Sequence, residues 1–187
     1  MHVAVFGGSF DPPHVGHVLA AAYALSTGPF DLVLVVPVLA HAFGKRLAPY
    51  EHRMAMTALA MKDLRRAEVS DVEGTLGAPS RTLKTVQHLG RAHPDWRMRL
   101  LLGADVHLER HEWLGYEELE KLAPPFLLGR EGVENAEAPE PVLPNISSTA
   151  VRQLLCATRG DRRESAELTR VVPRSVLDYI EEHGLYR

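Results

Sequence analysis

The chain has 187 residues, 45% of them hydrophobic and 24% charged, with a formal net charge of −3. That length suits one domain with a core of its own, and the charge balance excludes a surface built as a whole for nucleic acid or an acidic membrane, so any anion site must be local. One cysteine, Cys156, excludes an internal disulfide and fits a reducing cytoplasm; no signal-peptide pattern follows Met1, and the longest apolar run, Leu32 to Ala42, contains Pro37 and is too short to span a bilayer.

Val3 to Phe6 reads as a buried parallel strand, and Gly7-Gly8 as a tight turn into a helix from Gly16 to Ala24, which Ser26-Thr27-Gly28-Pro29 stops. Leu32 to Val36 is the clearest strand. A loop from Leu39 to Pro49 carries His41, Lys45 and Arg46. Tyr50 to Asp63 reads as a helix with Met54, Ala58 and Met61 on its apolar face. Ala67 to Val72 is a weaker strand and Gly74 to Ser80 a loop, with Ser80 capping a helix from Arg81 to His93 whose core face is Leu83, Val86 and Leu89. Met98 to Leu102 is the next strand, followed by Gly103-Ala104-Asp105 and helical pieces at Val106–Arg110 and Tyr116–Ala123. Phe126 to Leu128 is a strand running into Gly129-Arg130, Glu131 to Pro141 an acidic loop, and Val142-Leu143 a last strand. Ser147-Ser148-Thr149 caps a helix through Ala157, and Pro173 opens a final amphipathic helix with Val176, Tyr179 and Ile180.

Strands alternate with helices throughout, without repeat or linker. The expectation is a single α/β domain over residues 1–187, a Rossmann-like three-layer fold with a mostly parallel sheet and helices on both faces. Ligands of such sheets bind beyond the C-terminal strand ends. The Gly7-to-His17 turn, Lys45, Asp105 and Arg130 all follow predicted strands, which points to one shared site. No Gly-Lys-Ser/Thr follows Gly7-Gly8, which excludes a P-loop, and no third glycine completes a dinucleotide fingerprint. What the turn offers is His14 and His17 at a helix start, where unpaired N–H groups and histidine protons can meet phosphate oxygens. His107 and His111 sit four apart on a helix, but with no third ligand at a useful spacing they read as surface residues rather than a metal pair.

Gly7-Gly8-Ser9-Phe10-Asp11-Pro12-Pro13-His14-Val15-Gly16-His17 resembles the signature of the nucleotidylyltransferase superfamily, and Ile146-Ser147-Ser148-Thr149-Ala150-Val151-Arg152 resembles its second motif. Gly103-Ala104-Asp105 with Trp113, and the ending from Val172-Pro173 through Tyr179-Ile180 to Gly184-Leu185-Tyr186, are similar to bacterial nicotinate-nucleotide adenylyltransferases. The resemblance implies in-line transfer of AMP from ATP to nicotinate mononucleotide, giving the dinucleotide and pyrophosphate in NAD biosynthesis, with Mg²⁺ riding on the phosphates. The partners it implies are these two small molecules, with neither nucleic acid nor membrane; a homo-oligomer is left open.

Carried onto this chain, His14, His17, Lys45 and Arg152 would be catalytic. Gly7, Gly8, Ser9, Phe10, His14, His17, Gly103, Asp105, Arg130, Ile146, Ser147, Ser148, Thr149 and Arg152 would bind ATP, with Asp105 on a ribose diol and Arg130 on a phosphate. Lys45, Arg81, Thr82 and Trp113 would bind the mononucleotide. Two stretches depart from the family. Where Pro-Pro-His-Lys is usual, this chain has His41-Ala42-Phe43-Gly44-Lys45, and where Ser-Tyr-Thr is usual it has Ser80-Arg81-Thr82. Arg81 either pairs with the pyridine carboxylate or points to solvent. A sister transferase acting on nicotinamide mononucleotide or phosphopantetheine, and a nucleotide-binding regulator without catalysis, stand as the alternatives.

Overall fold

The computed structural model describes residues 1–40 and 46–187. Its strands are β1 (His2–Gly8), β2 (Leu32–Pro37), β3 (Ala67–Val69), β4 (Arg97–Gly103), β5 (Pro125–Arg130) and β6 (Pro141–Leu143). The helices among the described residues are α1 (Val15–Thr27), α2 (Tyr50–Met61), α3 (Val72–Leu76), α4 (Thr82–Ala92), α5 (Ala104–Leu108), α6 (Tyr116–Leu122), α7 (Ser148–Ala157), α8 (Ala166–Val171) and α9 (Arg174–Glu182), with short 3₁₀ turns at Arg110–Glu112 and Arg162–Glu164. The strands lie in the order β3-β2-β1-β4-β5-β6, every pair parallel. The expected Rossmann-like architecture is therefore present. Its strand order reverses between β1 and β4, the place where such sheets open a crevice.

Strand periodicity distributes the core. Val3, Val5, Leu32, Leu34, Val36, Leu100 and Leu102 point to one face, where Val72 of α3, Val86 and Leu89 of α4 and Leu119 of α6 cover them. Ala4, Phe6, Val33, Val35 and Leu101 point to the other, under Ala20, Ala21 and Ala24 of α1 and Met61 of α2. Three alanines on one stripe let α1 lie close on the sheet, which brings its N-terminus to the end of β1. A third cluster joins Met56 and Ala60 of α2 to Val151, Leu155, Leu168, Val176, Leu177 and Ile180 of α7, α8 and α9. Among the described residues no helix is long and apolar enough to cross a membrane.

Local expectations fail where tertiary packing overrides them. The buried face of α2 is Arg53, Met56, Thr57, Ala60 and Met61, while Ala58 is exposed and Met54 half-buried. This helix is covered from two sides, by the sheet and by α9, so its buried stripe turns away from the simple apolar reading. The strand β3 ends at Val69 and Val72 opens α3, in what reads from sequence as strand and loop. Ser80 does not cap α4; its Oγ accepts the Ala40 N–H at 3.2 Å, and Arg81 occupies the N-cap position with extended backbone. His107 is buried rather than on the surface, with its ring 6.4 Å from that of Tyr116, and burial lowers its pKa; His111 is exposed.

Candidate active site

The floor of the site is the turn between β1 and α1. A Cβ on Gly7 would meet no atom within 4 Å, so the turn leaves open space there, whereas a Cβ on Gly8 would lie 3.1 Å from the Phe10 ring. Phe10 has left-handed backbone (φ 47°) and a fully buried ring, edge-on to Phe6 at 5.4 Å and 4.8 Å from His17. It lines neither cleft described below. Its side chain departs from the ATP-contact expectation and instead supports His17 from beneath.

His14 is the N-cap of α1, and its backbone N–H donates to His17 Nδ1 at 3.1 Å. With Nδ1 accepting, the neutral His17 ring carries its proton on Nε2. Burial first, then the Arg130 charge, holds His14 down to about 4. Burial first, then His14 and Arg130, holds His17 well below the usual histidine range. Both rings are thus neutral at pH 7. The Nδ1 of His14 is buried with no partner among the described residues, a polar atom whose desolvation has no local compensation.

The opposite wall is the start of α7. Ser147 Oγ accepts the Ala150 N–H at 3.2 Å, and Ser148 Oγ donates to the Pro12 carbonyl at 2.9 Å, fastening this helix to the first turn. Arg152 donates to the Asp11 carbonyl at 2.6 Å and to Thr149 Oγ1 at 3.3 Å, with its guanidinium a third exposed. Ile146, Ser147, Ser148, Thr149 and Arg152 all line the cleft with the first N–H groups of α7, and the hydroxyls of Ser147 and Ser148 also hold the wall together. Arg130 donates to Asp105 Oδ2 at 2.5 Å and to the Ile146 carbonyl. In this structure Arg130 is committed to these two partners. Asp105 Oδ1 is buried with no partner among the described residues, and the absence of a side chain at Gly103 makes room for it, since a Cβ there would lie 2.6 Å away; the carboxylate as a whole is partly exposed on the cleft, where it can accept from a hydroxyl.

Two clefts open from the C-terminal end of the sheet. The first, about 360 Å³, runs between the two motifs and is lined by His14, His17, Gly103, Asp105, Arg130 and Arg152. The second, about 390 Å³, lies on the α4 side and is lined by Glu73, Arg81, Thr82, Glu109, Glu112 and Trp113. They share Gly7, Gly8, Ser9 and Val106. Phe10 apart, the structure thus brings together the described sequence candidates of each group, and the two groups meet at the open glycine of the turn. Lys45 lies outside the described residues. The neighbouring Arg46 lines the first cleft.

Three residues at the site carried no sequence signal of their own. Arg53 is fully buried and donates to the carbonyls of Ser9, Val38, Leu39 and Ala48 at 2.8–3.1 Å, tying the turn to both stems of the loop after β2. Asp11, 1% exposed, accepts from the Ala48 N–H at 3.1 Å and from Tyr186 Oη at 2.8 Å. Tyr186 reaches it from the far end of the chain. The one hint in sequence was that Asp11 and Tyr186 sit inside recognisable motifs; their pairing spans 175 positions and no local pattern encodes it.

Chemically, the first cleft presents cations, helix N–H groups and two imidazoles to a polyanion, with a carboxylate oxygen placed for a hydroxyl. The second presents an aromatic wall and one cation, Arg81, among the described residues that line it. Such a site can hold two ligands with a reacting centre of one at the other's edge.

The cytidylyltransferase-like family model matches residues 5–154. Over 188 residues the chain is 40% identical to a protein of Anaeromyxobacter sp. (strain K) named probable nicotinate-nucleotide adenylyltransferase, covering 99% of this chain and 96% of that one. It is 37% identical to a Thermus thermophilus protein of the same name, each chain covered in full. Among solved structures, the nicotinic acid mononucleotide adenylyltransferase of Plasmodium falciparum complexed with NaAD superposes with a TM-score of 0.82 over 99% of this chain and 97% of that one, at 18% identity, a likeness of fold.

Proposed function

The chain belongs to the cytidylyltransferase-like family, and from that membership we propose that it is a nicotinate-nucleotide adenylyltransferase, moving AMP from ATP to nicotinate mononucleotide with release of pyrophosphate. The observation that carries the assignment is the meeting of two clefts at Gly7, Gly8 and Ser9. ATP occupies the first cleft with its triphosphate between His14, His17, Arg152 and the start of α7, and its ribose at Asp105. The mononucleotide occupies the second, its pyridine beside Trp113. Its 5′-phosphate then attacks the α-phosphorus across the open space at Gly7, in line with the departing pyrophosphate.

The work of the protein is positioning and charge stabilisation. As the triphosphate arrives, its charge raises the histidine pKa values, and His14 and His17 become donors to the oxygens on which charge builds. Arg130 orients Asp105 and the Ile146 carbonyl. Mg²⁺ would ride on the ATP phosphates and neutralise part of their charge, while the cations and N–H groups along the first cleft would hold the phosphates themselves. A cytoplasmic setting fits, where both substrates occur.

The test is incubation of the purified protein with ATP, Mg²⁺ and either nicotinate or nicotinamide mononucleotide, with the products resolved by chromatography. Dinucleotide forms from the acid, and His17→Ala lowers its rate about 100-fold or more while circular dichroism shows the fold intact. No dinucleotide from either mononucleotide overturns the assignment. Glu73, Glu109 and Glu112 on the second cleft favour one competing reading, a preference for the uncharged amide, which the same assay decides.

A further inference from the structure

Resting on the nucleotide site proposed above, the geometry points to Tyr186, the penultimate residue, as a positioning residue for AMP transfer that acts through Asp11 on Arg152. The segment after α9 does not trail into solvent. After α9 it turns at Gly184 (φ 61°) and runs back toward the first motif. Arg162, buried, donates to the carbonyls of Leu185 and Tyr186 at 3.0 Å each and is paired with Glu181 at 3.3 Å. Tyr186 itself has left-handed backbone (φ 57°), which an L side chain adopts at a cost and keeps only where surrounding contacts impose it.

What those contacts achieve is the delivery of one hydroxyl. Tyr186 Oη donates at 2.8 Å to Oδ1 of the buried Asp11 carboxylate. The Asp11 carbonyl accepts from Arg152 Nη1 at 2.6 Å, and Oδ2 lies 3.5 Å from the same nitrogen. One residue of the turn therefore faces Tyr186 with its side chain and Arg152 with both backbone and side chain. Burial and the nearby Asp11 charge raise the Tyr186 pKa, so the phenol stays a donor across the working pH range. Removing that donor leaves the buried Oδ1 with the Ala48 N–H alone, at 3.1 Å. Arg152, already 3.5 Å from Oδ2 and a third exposed, is the side chain placed to swing toward it, and would then leave the triphosphate side of the cleft.

The test is a double-mutant cycle on Mg·ATP affinity, read by calorimetry without the second substrate. Tyr186→Phe weakens Mg·ATP about fivefold in the parent protein and less than twofold on an Arg152→Gln background. Leu185→Ala, which removes packing from the same tail but leaves the hydroxyl, lowers Tm yet leaves Mg·ATP affinity within twofold. Where the enzyme turns over, kcat of Tyr186→Phe falls with that affinity while KM for nicotinate mononucleotide stays within twofold, because the tail does not touch the second cleft. Equal effects of Tyr186→Phe in both backgrounds, no effect in the parent, or an equal loss in Leu185→Ala each overturn the inference. Failure of the functional assignment is separate: it shows as absent dinucleotide, while the ATP cycle still reads out.

Discussion

His14 and His17 stack ring on ring, centroids 3.8 Å apart and planes 28° apart. Burial penalises each charge, and two imidazolium ions at that distance would repel, so the fold holds both rings neutral. The consequence for stability has a definite sign. The pKa of His14 falls from 6.5 in the unfolded chain to about 4 in the fold, so between these values the unfolded state binds more protons. Stability is fully present above about pH 6.5 and is lost as pH falls toward 4. His14 alone accounts for about 3 kcal/mol of that loss at most, at roughly 1.4 kcal/mol per pKa unit. Urea unfolding at a series of pH values from 4 to 8 should show this decline, and His14→Gln should flatten it. An unaltered profile in His14→Gln would place the acid sensitivity elsewhere.

The same pair makes ATP binding a proton-coupled event. A triphosphate between neutral imidazoles, Arg152 and a helix N-terminus favours the protonated rings. Near pH 6.5 the complex should therefore take up protons from solution. Calorimetry in two buffers of different ionisation enthalpy measures the number directly; the expected value lies between zero and two and falls in His17→Ala. Equal apparent enthalpies in both buffers would mean the histidines stay neutral in the complex.

Gly7 is the position where the two clefts join, and a Cβ there meets no protein atom. Gly7→Ala should fold normally, with stability within about 1 kcal/mol, since β1 tolerates a side chain that touches nothing. Its methyl group would occupy the space across which the phosphates approach. A displacement of about 1 Å between reacting groups costs about 100-fold in rate, so kcat is expected to fall to that extent while Tm holds. Wild-type kcat in Gly7→Ala would put the reacting centre elsewhere.

Much of this site is legible in sequence because its parts are local. Gly7 to His17 and Ile146 to Arg152 each encode a turn into a helix within eleven residues or fewer, and strand-end positions such as Gly103, Asp105 and Arg130 follow from reading the strands. Illegible were the contacts between segments distant in sequence. Arg53 looks like one polar residue on a helix surface, yet it is buried because four carbonyls from two loops converge on it. The α2 stripe misreads for a related reason, since burial from two sides is a property of α9 and the sheet rather than of α2. Phe10 shows the converse: a residue inside a recognised motif, whose positive φ turns its side chain inward.

Arg53 offers a stability test of the tie between loops. Lysine keeps the charge but cannot present a planar fork to the carbonyls of Ser9, Val38, Leu39 and Ala48 together. Each carbonyl left without a donor in a buried setting costs about 1–3 kcal/mol, and water can reach some of them. Arg53→Lys should therefore lose about 2–4 kcal/mol in urea unfolding. Activity at a temperature where the variant is folded should fall as well, because the turn and the stems of the loop after β2 would no longer be fixed to each other. A variant as stable as the parent would show that lysine and water replace the fork.

Arg81 stands at the N-cap of α4 with extended backbone, its side chain exposed and on the wall of the second cleft with Glu109, Glu112 and Trp113. A cation at a helix N-terminus is opposed by the helix dipole, so its place there gains nothing from the helix itself. A nicotinate carboxylate in the cleft would give it a bidentate partner, and the Arg81 charge would offset the repulsion of that carboxylate by Glu109 and Glu112. Arg81→Ala should then lower kcat/KM for nicotinate mononucleotide about tenfold or more and leave that for the amide nearly unchanged, narrowing or inverting the ratio between them. The measurement is kcat/KM for both mononucleotides in parent and variant under saturating Mg·ATP. An unchanged ratio assigns Arg81 to solvent and leaves the choice between acid and amide to backbone groups around Thr82 and to Trp113.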